Sequence, residues 1–205
     1  LDAILQSSYM RAKEILREAP EQRVAFSWGR FQPPHLGHTE VFKKLESVGN
    51  YGFWIGTGQT NDPKKNPLQY ADKVAILKEM FPAYSDNILA DASIKTVYNA
   101  IVAIYNKYDP KEAENITLVF VGDPERINDF VGSFKKFNGV EARHGYYKFK
   151  DVTGFANTDK GDVRATDVRG AVQAKDMEKF QQLTGLTGDL AQTVFNKVAE
   201  GMGVV

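Results

Sequence analysis

Residues 29–38 read Gly29-Arg30-Phe31-Gln32-Pro33-Pro34-His35-Leu36-Gly37-His38. Two imidazoles three positions apart, a guanidinium and two glycines form a set suited to holding phosphate. The apolar run Val24-Ala25-Phe26-Ser27-Trp28 before it reads as a buried strand, and Thr39 to Leu45 after it has the apolar spacing of a helix. The histidines therefore fall on the first turn of a helix, at the carboxyl end of a strand. In a parallel α/β sheet that is where ligands bind. A helix N-terminus offers free N–H groups and the positive end of a dipole, and both attract phosphate. The imidazoles add donors at the same point, and Gly37 lets the backbone come close. Standing alone, a histidine pair is more often a cap or a core element. The spacing also occurs in metal sites. With no Cys in the chain and no obvious carboxylate partner, a protein-bound metal is not expected. Pro33 and Pro34 stiffen the approach whatever the ligand.

Other residues carry two readings each. Asp123 ends a strand at the ligand face and could touch a ribose or an acceptor. It could equally be the turn-former of Gly122-Asp123-Pro124. Lys64 and Lys65 could meet an acceptor phosphate or solvate a loop. Trp28 and Trp54 read as core or pocket-edge aromatics. His144 reads as a surface turn residue without a role.

The elements that must position these residues follow from hydrophobic periodicity. A helix precedes Pro20. Strands are expected at 24–29, 52–56, 87–90, 116–121 and 146–150. Helices are expected over 36–47, 68–80, 94–105 and from Pro124 to about 134, then over 166–174, 177–183 and 190–200. Residues 57–66 read as a polar loop, and 151–163 as a long glycine-containing one. Strands alternating with helices argue for a parallel sheet with right-handed crossovers. The expected fold class is α/β, with about five parallel strands flanked by helices. Residues 1–21 would form an N-terminal helix, and 22–205 a single domain ending in a helical tail.

Composition sets the outer bounds. A chain of 205 residues is ample for one core, and 42% hydrophobic with 25% charged residues is ordinary for a globular protein. Basic and acidic residues balance at 26 each, so no global field points to nucleic acid. No apolar run reaches membrane-spanning length, no signal-peptide pattern opens the chain, and a cytoplasmic protein is the default expectation. The chain begins at Leu1 rather than Met, which leaves room for an N-terminal piece removed earlier.

With those residues on the page, a resemblance can be stated. The segment GRFQPPHLGH resembles the HxGH signature of the nucleotidylyltransferase superfamily. Within it, the chain looks most like the nicotinamide mononucleotide (NMN) adenylyltransferases. Ile55-Gly56-Thr57-Gly58-Gln59 and Lys65-Asn66-Pro67-Leu68 with Asp72-Lys73 resemble that branch's second-strand exit and Asn-Pro loop. Arg164-Ala165-Thr166-Asp167-Val168-Arg169 resembles the Ser-x-Thr-x-x-Arg phosphate loop, with Arg164 standing where the family usually has Ser. The tail from Met177 to Gly203 is similar to nucleotidyltransferase-like proteins of large tailed phages.

The resemblance implies a Rossmann-like fold. It implies transfer of a nucleoside monophosphate from a triphosphate, with Mg²⁺, onto a phosphorylated small molecule, with release of pyrophosphate. ATP and NMN are the leading pair. A cytidylyltransferase acting on an alcohol phosphate, or a virion component reusing the fold, are the alternatives. By the same resemblance His35, His38 and Arg30 would be catalytic, and Gly29, Phe31, Gly37, Arg164, Thr166 and Arg169 would bind nucleotide. Asn66 and Asp123 would bind the acceptor. No nucleic-acid or membrane partner is implied. Self-association and association with a virion are left open.

Overall fold

The computed structural model describes residues 20–158 and 161–204, together with Gln6. The expected N-terminal helix lies almost wholly outside the described residues. Four parallel strands form one sheet: β1 (Gln22–Gly29), β2 (Gly52–Thr57), β3 (Ile116–Gly122) and β4 (Asp151–Ala156), in the order β2-β1-β3-β4. The helices are α1 (His38–Val48), α2 (Tyr70–Met80), α3 (Val97–Tyr105), α4 (Pro110–Ala113) and α5 (Pro124–Phe137). After β4 come α6 (Ala165–Gln173), α7 (Met177–Thr184) and α8 (Gly188–Met202), and a 3-10 turn spans Pro82–Asn87.

Period-two alternation divides the sheet between two cores. Val24, Phe26, Leu118 and Phe120 face a cluster with Ile101, Ile104, Phe134, Tyr147 and Phe149. Ala25, Val119 and Val121 face Phe42, Leu45, Leu77 and Phe81 on the other side. Strands buried on both faces read as unbroken apolar runs, which is why β1 and β3 stand out in the sequence. A third core joins the C-terminal helices to α2. Phe180, Val194 and Val198 pack with Val168, Leu68 and Ile76.

Two expected strands are corrected. At 87–90 there is a single parallel bridge, Ile55 to Ile88, and Leu89 N–H donates to Ile55 carbonyl at 2.9 Å. The 3-10 turn just before it takes the Ile88 N–H onto Ser85 carbonyl and shortens the segment. Among the backbone hydrogen bonds of 146–150 only that of the last residue reaches β3, with Lys150 N–H donating to Ile116 carbonyl at 2.9 Å, and others are used elsewhere. Asn138 brackets Phe149, accepting its N–H at 2.8 Å and donating to its carbonyl at 2.9 Å. Gly139 N–H donates to Tyr147 carbonyl at 2.8 Å. The fourth strand starts one residue later and runs through what read as a loop. Its sequence, Asp-Val-Thr-Gly-Phe-Ala, is half exposed and interrupted by Gly154. That glycine is needed, because a Cβ there would lie 2.5 Å from an Ile127 methyl of α5.

Helix starts also shift by up to three residues. Leu68 does not open α2, because the Gln32 side chain holds its backbone from both sides. Gln32 Nε2 donates to Leu68 carbonyl at 2.8 Å, and Leu68 N–H donates to Gln32 Oε1 at 2.9 Å. α3 begins after Thr96, which forms a reciprocal capping box with Asn99.

Candidate active site

Because the strands are parallel, β1, β3 and β4 present their carboxyl ends along one edge of the sheet. A cavity of about 480 Å³ opens there. The β1–α1 corner forms one part of its wall, the first turn of α6 another, and the exits of β3 and β4 the rest.

The histidine corner is shaped by glycine. A Cβ on Gly37 would lie 2.6 Å from Val163 carbonyl and 3.0 Å from the His35 ring, so only glycine admits this approach of α1 to the loop before α6. The two imidazoles lie with centroids 3.8 Å apart. His38 Nδ1 is 3.1 Å from His35 N–H and 3.1 Å from its carbonyl. In the tautomer that accepts the amide proton, His38 Nε2 carries a hydrogen free to donate. His35 is buried, and its Nδ1 has no partner in the protein. Burial lowers the His35 pKa to about 4, against a smaller upward pull from Asp167. Burial, with His35 beside it, lowers that of His38 to about 3. Both rings are neutral at pH 7. Phe31 supports His38 from 4.7 Å, in a left-handed backbone conformation with φ 47°. Its ring packs so closely on Gly29 that a Cβ there would lie 2.6 Å away.

At α6, Arg169 Nη1 donates to Gln32 carbonyl at 2.6 Å, and Nη2 lies 3.4 Å from Thr166 Oγ1. Gln32 therefore fixes two things at once: the start of α2 through its side chain and the Arg169 guanidinium through its carbonyl. Burial lowers the Arg169 pKa, and the Arg30 charge lowers it further. Arg30, Lys65, Arg164 and Thr166 share the same wall.

The expected acceptor residues are placed differently. Asp123 lines the cavity, but its carboxylate also caps α5, accepting Arg126 N–H at 3.0 Å. Asn66 is buried outside the cavity wall, and its amide donates to Asp62. Asp62 also accepts the N–H groups of Lys64 and Lys65 at 3.0 and 2.8 Å. These bonds hold its carboxyl below the usual range, the Asn66 amide contributing most. The polar loop is thus a clasped turn that delivers Lys65, and not Asn66, to the cavity. Trp28 is at the cavity edge, while Trp54 lies elsewhere, under the Lys107 ammonium at 4.2 Å. His144 does sit in a turn, closed by the Ala142–Gly145 bridge, but is not fully exposed. It is half buried among Tyr98, Phe137 and Tyr147.

Two wall residues escape sequence reasoning. Arg126, in the first turn of α5, is tied to Trp28 carbonyl. A basic residue just past a strand-exit Gly-Asp-Pro was its only signal. Asn157 follows β4, is buried, and has an amide oxygen without a protein partner. It was hidden because β4 itself read as a loop.

Paired neutral imidazoles, a helix terminus and arginines thus lie together at the carboxyl edge of a parallel α/β sheet, an arrangement suited to phosphate. Comparison with known proteins gives the family. Residues 26–171 match the cytidylyltransferase-like family, and the chain belongs to that family of nucleotidyltransferases. A 54-residue stretch is 41% identical to the nicotinamide-nucleotide adenylyltransferase of Archaeoglobus fulgidus, covering 26% of this chain and 31% of that relative. Among solved structures, a Vibrio parahaemolyticus protein assigned as a nicotinate-nucleotide adenylyltransferase shares the fold with a TM-score of 0.57 at 17% identity. The match covers 85% of this chain and 99% of that one. The nicotinic acid mononucleotide adenylyltransferase of Plasmodium falciparum, solved with NaAD, superposes with a TM-score of 0.52 at 12% identity, covering 88% and 97%.

Proposed function

We propose that the protein transfers adenylate from ATP to a pyridine mononucleotide, NMN first, releasing pyrophosphate. The observation that carries this is the β1–α6 corner, where neutral His35 and His38 face the same cavity as Arg30, Thr166 and Arg169. An acceptor phosphate oxygen attacks the α-phosphorus; the new P–O bond forms as the bond to the β-phosphate oxygen breaks, and pyrophosphate leaves. The acceptor is already an anion, so no general base is needed, and the protein's work is alignment and charge stabilisation. His38 Nε2–H donates to a non-bridging α-phosphate oxygen, and His35 and Arg30 support the same charge. The N-terminus of α6, with Thr166 and Arg169, holds the β- and γ-phosphates.

Magnesium belongs with the nucleotide in this reading. Among the described residues no group of three His, Asp or Glu side chains is placed to cage a metal. Among the described residues the one carboxylate lining the cavity, Asp123, is already capping α5. Mg²⁺ commonly binds through substrate phosphates and water, with few protein ligands. It enters as part of the triphosphate substrate.

The test is direct. Protein with ATP, Mg²⁺ and NMN should yield NAD and pyrophosphate in equal amounts. No product at high enzyme concentration, with ATP binding intact, rejects NMN. A pyrophosphate-release screen of the four triphosphates against nicotinate mononucleotide, pantetheine phosphate and alcohol phosphates then identifies the pair. Silence across the whole screen rejects catalysis in favour of a binding or structural module.

A further inference from the structure

Lys73 is the one lysine that the fold buries among the described residues, with 1% of its surface exposed. It sits on the inner face of α2 beside Val74 and Leu77, and it does not line the cavity. No carboxylate forms an ion pair with it among the described residues. Its ammonium donates to Gly58 carbonyl, just past the end of β2. Taking an ammonium out of water is costly, and one carbonyl offsets only part of that cost. Methionine would fill the same space without the charge.

The titratable groups on the surrounding elements are engaged with other partners. On α2, Asp72 pairs with Lys197 of α8 at 2.8 Å, and Tyr70 donates to Asp91 carbonyl at 3.2 Å. In the clasped loop, Asp62 accepts Lys65 N–H, and after Ile88 the Asp91 carboxylate accepts Ser93 N–H at 2.7 Å. Past β1, Arg30 lines the cavity. Burial alone lowers the Lys73 pKa, to about 8, so the ammonium is largely charged at pH 7.

The carbonyl that Lys73 holds belongs to a junction between two strand ends. Gly58 N–H donates to Gly29 carbonyl at 3.2 Å. The buried Thr57 hydroxyl lies 3.4 Å from Arg30 carbonyl and 3.5 Å from Gly58 carbonyl. It has one hydrogen for two oxygens. With the ammonium on the Gly58 oxygen, that hydrogen is free for Arg30. Contacts therefore run from α2, through the end of β2, to the backbone of Arg30.

We propose that Lys73 is a positioning residue: its buried ammonium holds the end of β2 against the end of β1 and thereby aims Arg30 into the cavity, without touching substrate. A neutral amine still donates, but more weakly than an ammonium, so the hold loosens when the proton leaves. That Arg30 meets a triphosphate rests on the function proposed above; the junction itself does not.

The experiment has two arms, run on wild type, K73M and K73R. The first is amide hydrogen exchange at Gly58, which needs no ligand. Its protection should fall about tenfold or more in K73M, the scale of a lost hydrogen bond to a charged group, and largely return in K73R. The second is calorimetric titration of ATP with Mg²⁺ from pH 7 to 9.5. Wild-type affinity should weaken severalfold as the pH rises through about 8. K73M should bind more weakly than wild type at pH 7 and show no such step, and K73R, which stays charged, should lack the step while binding nearly as wild type does. K73M conserves volume and removes a desolvated charge, so its Tm should hold. Unchanged Gly58 protection in K73M overturns the proposal. So does a lower Tm with ATP affinity and its pH step intact, which would make Lys73 a packing residue. Absence of ATP binding by wild type rejects the triphosphate assignment instead, and Gly58 exchange in K73M still decides whether Lys73 holds the junction.

Discussion

His35 and His38 show how a shared burial sets chemistry. With pKa values lowered to about 4 and 3, both imidazoles are neutral donors at pH 7. Turnover should therefore be nearly flat across about pH 6 to 8, without the inflection an ordinary histidine gives near 6.5. His38→Ala should reduce kcat about 10²- to 10³-fold, the usual effect of losing a transition-state donor. An inflection near 6.5 that disappears in His38→Ala would mean the ring works as an acid. The same shifts act on stability. The unfolded chain binds protons at these sites from about pH 6.5 downward, while the folded chain resists to about pH 4 at His35 and about 3 at His38. Stability is then fully present above 6.5 and falls as the pH drops towards 3. Chemical denaturation at intervals over that window measures it. At this scale the sequence was readable where type and spacing repeat a pattern, as for His35, His38, Thr166 and Arg169. It was silent at Arg126 and Asn157, single residues whose value comes from strand exits that only the fold brings together.

Among the elements, the clasped loop between β2 and α2 separates a contact role from a positioning role. Asn66 does not line the cavity; it holds Asp62, which holds the N–H of Lys65, which does. Asp62→Ala and Asn66→Ala should therefore raise the acceptor KM by similar factors, leave triphosphate affinity nearly unchanged, and fail to add in the double variant. Independent, additive effects would show that Asn66 meets the acceptor directly. The elements also mark where periodicity stops being informative. β1 and β3 are buried on both faces and declare themselves. β4 is an edge strand with exposed residues and a glycine chosen for α5, so its pattern resembles a loop. The alternating segment at 146–150 owes its strand-like pattern to burial of Tyr147 and Phe149 in the core, with Lys148 and Lys150 exposed, while Asn138 and Gly139 use its backbone.

Over the whole molecule, the C-terminal helices bear on both loops of the site. Leu183 carbonyl accepts the Leu36 N–H at 3.1 Å, within the histidine corner. At α8, a Cβ on Gly201 would sit 2.0 Å from Pro67 carbonyl, at the end of the clasped loop. Gly201→Ala must push either helix or loop aside, far from any substrate. It should lower Tm and raise the acceptor KM while triphosphate affinity holds. A lower Tm with unchanged acceptor KM would show that α8 stabilises the molecule without tuning the loop. The contact between Gly201 and Pro67 has a further consequence during synthesis. The sheet and the residues of the histidine corner are encoded ahead of it, while the supports that corner takes from Arg169 and Leu183 come later in the chain. The clasped loop gains its last support only once the segment through Gly201 has been made. Of the supports described for the cavity and its loops, the one that closes the Pro67 end is thus the last to be encoded.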